Sequence, residues 1–286
     1  EGVPKTVDPA AVVSVKDYKL ASKFMGRLMP YRVILPVGYS RTAPGYPVIY
    51  LLHGLTGNYK DWTDRTELVK LSEKYQFIIV TVEGENGWYT DSAIKAADKF
   101  ESHLDEIVLE TDKQFNTNRS YRVIAGLSMG GYGAIKFAIR RPDKFSLIGS
   151  FSGAFGIPQW SENAPGSKLI GRSIDAVFGP IGSQAREQNN ITKIVGDMTP
   201  PQVQALPYIY ISCGTEDAAM IKLNRDFVAI LEKKGLRPQT NFQAAFRKGI
   251  HDWAFWGSEL ATFLELANTR LTSKGIDTTK ATQHSP

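Results

Sequence analysis

Cysteine, histidine and long apolar runs are all scarce in this chain of 286 residues. Its single cysteine, Cys213, excludes an intramolecular disulfide, and with the four scattered histidines it offers no cluster of metal ligands. No apolar stretch reaches the roughly 18 residues that a membrane-spanning helix needs. We therefore expect a water-soluble protein that uses no metal ion and no other cofactor.

Concentrated charge is absent as well. The chain has 34 lysines and arginines against 29 aspartates and glutamates, and its formal net charge of +5 is spread along the sequence. Proteins that bind nucleic acids gather basic residues on one face or in one arm. The pattern predicts a mildly basic, solvated surface and no nucleic-acid partner.

Short apolar runs that alternate with helical patterns are what the sequence does have. The runs at 47–52 and 77–80 suit strands that are covered on both faces of a sheet. This alternation predicts an α/β fold with a mostly parallel central sheet and helices on both faces. Strands are predicted at 12–19, 27–35, 47–52, 77–80, 121–127, 145–151, 207–212 and 239–246, and helices at 61–75, 100–115, 129–140, 220–231 and 252–267.

Two stretches break this rhythm. Residues 156–201 are rich in glycine, proline, serine and asparagine, so we expect an insertion that acts as a lid or binding element. Residues 269–286 are polar and lack aromatic side chains, which predicts a disordered tail. One domain over 1–268 is expected. The chain starts at Glu1, which favours removal of a secretory leader and thus a secreted or periplasmic protein over a cytoplasmic one.

The segment Gly126-Leu127-Ser128-Met129-Gly130 matches the nucleophile-elbow pattern G-x-S-x-G. It lies where a predicted buried strand meets a helix rich in small residues. Such a turn holds the serine hydroxyl at the edge of the sheet, near a helix N-terminus. The pattern alone is weak because glycine and serine are common, but its context favours Ser128 as a nucleophile over an incidental serine in a glycine-rich turn.

A serine hydroxyl is a weak nucleophile near neutral pH and needs a base, for which the chain offers four histidines. His284 falls in the predicted tail, and His103 falls on the polar side of a predicted helix, where a solvated surface position is expected. His53 ends a strand, a position that suits the shaping of a loop. His251 lies between the last predicted strand and the closing helix, so elimination and position both select it.

A carboxylate must orient the imidazole and stabilise its charge. In α/β-hydrolases this acid lies between the serine and the histidine along the chain. Asp217 and Glu216 both follow a predicted strand in that interval, and Asp217 is favoured. Carboxylates in the insertion or on a helix are expected to be solvated.

An acyl-transfer site also needs N–H donors for the oxyanion of its tetrahedral intermediate. One expected donor is the backbone N–H of Met129, directly after the candidate nucleophile. The other is the N–H of Leu55, in the loop 52–57 after an early strand. An ordinary glycine turn is the alternative for that loop.

With these residues assembled, the chain resembles the putative esterase (esterase D-like) family of α/β-hydrolases over roughly residues 31–266. That family includes tributyrin, feruloyl and acetyl-xylan esterases, S-formylglutathione hydrolases and the antigen 85 mycolyltransferases. Five blocks carry the resemblance in the family's order: His53-Gly54-Leu55-Thr56-Gly57-Asn58 with Asp61-Trp62, Asn86-Gly87-Trp88-Tyr89, Gly126-Leu127-Ser128-Met129-Gly130-Gly131-Tyr132-Gly133-Ala134, Cys213-Gly214-Thr215-Glu216-Asp217, and His251-Asp252-Trp253-Ala254-Phe255-Trp256.

The resemblance implies an α/β-hydrolase fold with a lid-like insertion. It implies a catalytic triad of Ser128, Asp217 and His251, and an oxyanion hole formed by Leu55 and Met129. It places Trp88 near the acyl pocket, although a core position suits that aromatic equally well. The implied reaction is cofactor-free hydrolysis of a small-molecule or saccharide-linked carboxylic ester, with a short-chain or aryl acyl group.

Three alternatives stay open from the sequence: acyl transfer to an alcohol, hydrolysis of S-formylglutathione, and an inactive hydrolase fold that only binds. The S-formylglutathione hydrolases usually carry a His-Ser-Tyr-type sequence at the histidine, whereas here Trp253 and Trp256 follow His251. An inactive member is expected to lack one group of the triad, and all three are present. The sequence leaves the oligomeric state open.

Overall fold

The computed structural model of the protein describes residues 12–160 and 168–275. Within them one eight-stranded sheet has the order β1-β2-β4-β3-β5-β6-β7-β8. β1 pairs antiparallel with β2, and β2 with β4, while every other neighbouring pair is parallel. The strands are β1 (Ser14–Ser22), β2 (Arg27–Leu35), β3 (Tyr46–Leu52), β4 (Ile78–Val82), β5 (Thr117–Leu127), β6 (Leu147–Phe151), β7 (Tyr208–Gly214) and β8 (Phe242–Arg247).

Helices cover both faces of this sheet, which confirms the predicted α/β fold. In β3, Val48, Tyr50 and Leu52 join one apolar cluster, and Ile49 and Leu51 join the other. This alternation follows from the two-residue period of a strand and explains why the run is apolar throughout. The helices are α1 (Asp61–Asp64), α2 (Leu68–Ser72), α3 (Phe100–Gln114), α4 (Met129–Ile139), α5 (Lys168–Phe178), α6 (Gln184–Gln188), α7 (Ile191–Asp197), α8 (Pro200–Gln204), α9 (Ile221–Lys233) and α10 (Trp253–Thr272).

The helix predicted at 61–75 is instead two short helices, α1 and α2. Thr66 separates them. Its hydroxyl donates to the carbonyl of Trp62 and accepts the N–H of Leu68, so a side chain takes over backbone bonds at the break.

The prediction that His103 lies on a solvated helix face is wrong, because its side chain is fully buried. The turn between β1 and β2 covers this face of α3. Glu106, one turn further along α3, accepts bonds from the hydroxyl of Ser22 and from the N–H of Lys23. Helical periodicity cannot reveal a cover that comes from about 80 residues earlier in the chain.

The two irregular stretches contain more regular structure than expected. The described part of the 156–201 insertion comprises a short 3₁₀ turn, Ile157–Gln159, helices α5 to α7 and the first residues of α8; residues 161–167 lie outside the described residues. α10 continues to Thr272, so the predicted tail cannot begin at 269. The extra turn forms because Leu271 packs into the apolar cluster under α10. Residues 276–286 of that predicted tail, including His284, lie outside the described residues.

None of the helices in the described ranges combines the length and the apolar character that crossing a bilayer demands.

Candidate active site

Ser128 occupies the sharp turn between β5 and α4, with φ 51° and ψ −114°. A positive φ is strained for a non-glycine residue and persists only where the surroundings enforce it. A side chain on Gly126 would overlap the backbone of Gly130, and one on Gly130 would overlap the carbonyl of Leu52. The two glycines of the motif are therefore required by the close approach of strand, turn and helix.

Ser128, His251 and Asp217 come together at the carboxyl ends of three parallel strands of the sheet. They follow β5, β8 and β7 respectively. Nε2 of His251 lies 3.0 Å from Oγ of Ser128, and Nδ1 lies 2.7 Å from Oδ2 of Asp217. These distances form one continuous hydrogen-bonded chain from hydroxyl to imidazole to carboxylate.

Asp217 is buried, with 2% of its surface exposed, whereas Glu216 is exposed. Burial raises the pKa of the Asp217 carboxyl, but the hydrogen bond and charge of His251 and the N–H of Met220 lower it by more. The net pKa is below the ordinary value, so the carboxylate stays ionised near neutral pH. Of the two adjacent acids, only Asp217 contacts the imidazole.

The His251 ring contacts Trp256 and Asp217, and part of it is exposed to solvent. Trp256 meets it edge to face, with ring centroids 4.8 Å apart and planes at 89°. Asp217 holds Nδ1, while 33% of the His251 side chain remains exposed. Its Nε2 edge therefore faces both Ser128 and the solvent-accessible cavity, where a substrate can reach it.

The two predicted N–H donors belong to segments that adjoin Ser128. Met129 is the first residue of α4, and Leu55 follows Gly54, where a Cβ would lie 3.6 Å from Cβ of Ser128. In the part of the chain that the structure describes, neither N–H donates to a protein acceptor. Two free donors beside a hydroxyl can bind a developing oxyanion.

A cavity of about 660 Å³ opens over the serine hydroxyl. That volume accommodates a small organic molecule. Trp88 lines it, 2% exposed, and its Nε1–H donates to Oγ of Ser173 at 3.0 Å. The lining side chains from the insertion are Ile157, Trp160 and Ile170.

Several cavity residues were not predicted from the sequence. Arg65 and Met220 line the cavity, and a buried pair, His53 and Glu83, lies under the loop that carries Leu55. The contact between His53 and Glu83 can be predicted once the pairing of β3 with β4 is known. Because β3 and β4 are parallel with Leu52 opposite Val82, the residues directly after each strand are neighbours.

No described group of three or more histidine, cysteine, aspartate or glutamate side chains has the arrangement of a metal site.

Comparison with known proteins gives a consistent result. A family model described as "Putative esterase" matches residues 22–266. An acetyl esterase of Caldicellulosiruptor saccharolyticus is 32% identical over 225 residues, covering 76% of this chain and 81% of the relative. The diacylglycerol acyltransferase/mycolyltransferase Ag85A of Mycobacterium leprae (strain TN) is 25% identical over 260 residues, covering 79% of this chain and 76% of that protein.

Solved structures show the same architecture. FphF of Staphylococcus aureus, a fluorophosphonate-binding serine hydrolase, superposes with a TM-score of 0.77 at 21% identity, covering 90% of this chain and 98% of that one. A ferulic acid esterase superposes with a TM-score of 0.74 at 25% identity and the same coverage, 90% and 98%. The α/β-hydrolase fold expected from the sequence is confirmed.

Proposed function

The chain belongs to the putative esterase family of α/β-hydrolases, and from that premise we propose that it is a serine carboxylesterase with Ser128 as its nucleophile. The observation that carries the proposal is the hydrogen-bonded chain through His251. Its two contacts, 3.0 Å to Ser128 and 2.7 Å to Asp217, support the roles of nucleophile for Ser128, general base for His251 and orienting acid for Asp217.

The first half of the reaction acylates the serine. His251 Nε2 takes the proton of Ser128 as Oγ attacks the carbonyl carbon of the ester. The carbonyl oxygen becomes an oxyanion that accepts the N–H groups of Leu55 and Met129. When the tetrahedral intermediate collapses, the bond to the alcohol oxygen breaks and His251 passes its proton to that oxygen.

The second half releases the acid. Water enters, His251 takes one of its protons, and the hydroxide attacks the acyl carbon bound to Ser128. Collapse of the second tetrahedral intermediate breaks the bond to Oγ, which recovers its proton from His251. Asp217 remains an ionised acceptor for Nδ1–H throughout and stabilises the imidazolium that forms twice in each turnover.

We assign the acyl group to the aromatic part of the cavity. Trp88, Ile157 and Trp160 give this wall an apolar surface suited to a short-chain or aryl acyl group. The related acetyl esterase and the structurally similar ferulic acid esterase carry names that fit such groups. The alcohol is proposed to be a small molecule or a saccharide, and the insertion contributes the wall that selects between substrates.

Hydrolysis of p-nitrophenyl esters from acetate to laurate tests the nucleophile. We expect Ser128→Ala to lower kcat by about a thousandfold or more, because the covalent route is lost. Ser120→Ala is the matched control, since Ser120 lies exposed on β5, the strand that ends just before Ser128, and this variant should retain activity. Full activity of Ser128→Ala would refute the proposal.

Acyl transfer is the second candidate, favoured by the similarity to a named acyltransferase. The same acyl-enzyme would serve it, with an alcohol in place of water. Adding a primary alcohol to the assay and measuring the ratio of new ester to free acid separates the two. If the ratio of new ester to free acid rises only in proportion to the alcohol concentration, the result supports a hydrolase.

Two expectations from the sequence remain proposals. Secretion can be tested by fractionating the cells that make the protein. The single-domain organisation over 1–268 predicts one cooperative unfolding transition, followed by fluorescence and by circular dichroism.

A further inference from the structure

A second imidazole lies beneath the loop that carries Leu55. The side chain of His53 has no exposed surface. Its Nδ1 is 2.7 Å from the carbonyl oxygen of Gly54, and its Nε2 is 2.9 Å from the backbone nitrogen of Gly84. Because a carbonyl oxygen can only accept, Nδ1 must carry a proton whichever partner Nε2 takes.

The Gly54 carbonyl is thereby held by two donors. Besides the imidazole, the N–H of Gly57 reaches it at 3.1 Å. The carbonyl belongs to the same planar, trans peptide as the N–H of Leu55, and the two groups of such a peptide point in opposite directions. Fixing the Gly54 oxygen on the protein side therefore directs the Leu55 N–H away from it, toward the cavity that Leu55 lines.

We propose that His53 is a positioning residue, whose Nδ1–H sets the orientation of the Leu55 N–H toward the oxyanion that forms at Ser128. The inference rests on the proposed function, because it assigns a task to a donor of that site. It adds a residue that contacts neither the substrate nor the serine.

The surroundings of His53 hold its ring in one orientation. The N–H of Gly84 points at Nε2, and the Tyr89 ring packs against the imidazole with centroids 5.8 Å apart. Glu83, whose Oε1 lies 3.1 Å from Nε2, is itself fixed by the N–H groups of Glu85 and Tyr59 at 2.7 and 3.2 Å. A ring buried on all sides and bonded at both nitrogens cannot rotate without breaking these bonds.

The expected signature follows from what an oxyanion donor does. The donor binds the negative oxygen of the transition state more strongly than the neutral carbonyl of the substrate, so its loss lowers kcat and leaves KM almost unchanged. Removing one such donor outright costs about 10²–10³ in kcat, so loosening it should cost about 10- to 100-fold.

Two substitutions at His53 separate positioning from packing. In His53→Asn the side-chain amide nitrogen can occupy the place of Nδ1 and still donate to Gly54. In His53→Gln it reaches instead toward the place of Nε2, and the donor to Gly54 is lost. We expect His53→Gln to lose about 10- to 100-fold in kcat and His53→Asn to recover most of that loss.

The readout is the ratio of kcat/KM for an ester and for its thionoester. Sulfur is a weaker hydrogen-bond acceptor than oxygen, so the thionoester depends less on the N–H donors. His53→Gln should therefore lose more on the ester than on the thionoester. The ratio does not depend on the fraction of enzyme that is folded, because both substrates meet the same sample.

His103→Gln is the matched control, since it alters another fully buried histidine that lies outside the cavity wall. Its ratio should equal that of the wild type. Equal losses on both substrates in His53→Gln, or equal losses in the Gln and Asn variants, would overturn the inference. Ser128→Ala in the same assay keeps the two claims apart: if it is inactive while the His53 ratio is unchanged, only the positioning role fails.

Discussion

Two imidazole–carboxylate pairs lie at the candidate site, one beside Ser128 and one beneath the loop that carries Leu55, and they differ in their exposure to solvent. His251 is 33% exposed beside Asp217, whereas His53 has no exposed surface beside Glu83. Nε2 of His251 faces a hydroxyl that can release its proton. Nε2 of His53 faces the N–H of Gly84, which cannot, and the carboxylate of Glu83. Under the proposed mechanism, the same two functional groups therefore serve as a base at His251 and as a fixed hydrogen-bonding group at His53, and the partners of Nε2 distinguish the two.

The largest expected effect on kcat comes from removing the charge of Asp217 in the His251–Asp217 pair. Asp217→Asn should lower kcat by about 10⁴-fold, because the amide no longer stabilises the imidazolium or selects its tautomer. Steady-state hydrolysis of p-nitrophenyl acetate measures this. Glu216→Gln removes the adjacent, exposed acid and should change kcat less than about twofold. If the two variants were equally active, the assignment of Asp217 would be wrong.

A third buried carboxylate, Glu101, serves as a comparison for Asp217 and Glu83. Its substitution tests whether catalysis depends on any buried, ion-paired charge or only on a charge at the site. Glu101 lies 2.9 Å from Nζ of Lys136 and 2.7 Å from a guanidinium nitrogen of Arg140, away from the cavity. Burial raises the pKa of Glu101, but the charges of Lys136 and Arg140 lower it by more, to about 2.

A lowered pKa means that this stabilisation is complete above the unfolded-state value and is lost as the pH falls toward 2. Between pH 5 and pH 3 the wild type should lose about 2 kcal/mol more free energy of unfolding than Glu101→Gln does. Urea unfolding at both pH values measures it, with exposed Glu232→Gln as control. Once folded, Glu101→Gln should keep kcat within about twofold. A thousandfold loss would mean that a buried ion pair away from the cavity is enough to make catalysis depend on a charge.

The value of kcat should depend far less on the charge of Glu83, in the His53–Glu83 pair, than on the charge of Asp217, in the His251–Asp217 pair. Glu83→Gln is expected to lower kcat by no more than about tenfold, because His53 keeps its Nδ1 proton and need not gain a charge during turnover. Measuring kcat for Glu83→Gln beside Asp217→Asn gives the comparison directly. A loss approaching that of Asp217→Asn would mean that His53 also changes protonation.

The smallest expected effect is on substrate binding at Trp88, which involves neither His251 nor His53. Trp88→Phe keeps an aromatic ring but gives up the bond to Ser173 and part of the cavity wall. We expect KM for p-nitrophenyl butyrate to rise about tenfold while kcat changes little. Trp253→Phe, at another part of the cavity, should alter this KM less. Equal changes in the two variants would remove the acyl assignment of Trp88.

Strand order explains why much of the site could be predicted from the sequence. Ser128, Asp217 and His251 each follow a strand whose apolar run is visible in the sequence, and parallel strands bring such loops to one edge. The structure differs from the sequence-based predictions where segments distant in the chain surround a side chain. His103 is covered by the turn between β1 and β2, and Glu83 meets His53 only because β3 and β4 pair in one register. Neither contact leaves a periodic signal.

The insertion shows the same limit. Helices α6, α7 and α8 have only five to seven residues, too few turns for a helical period to stand out. The wall that Ile157, Trp160 and Ile170 form depends on how the 3₁₀ turn and α5 pack. The presence of an insertion could be predicted from composition, whereas its contribution to the cavity could not.

Trapping the acyl-enzyme tests the central claim most directly. Wild-type protein mixed with p-nitrophenyl acetate, quenched in acid and digested, should carry one acetyl group on the peptide that contains Ser128. Asp217→Asn should carry it too, formed more slowly, and Ser128→Ala should carry none. Turnover without an acetylated Ser128, or an acetyl group on another residue that accounts for turnover, would contradict the account.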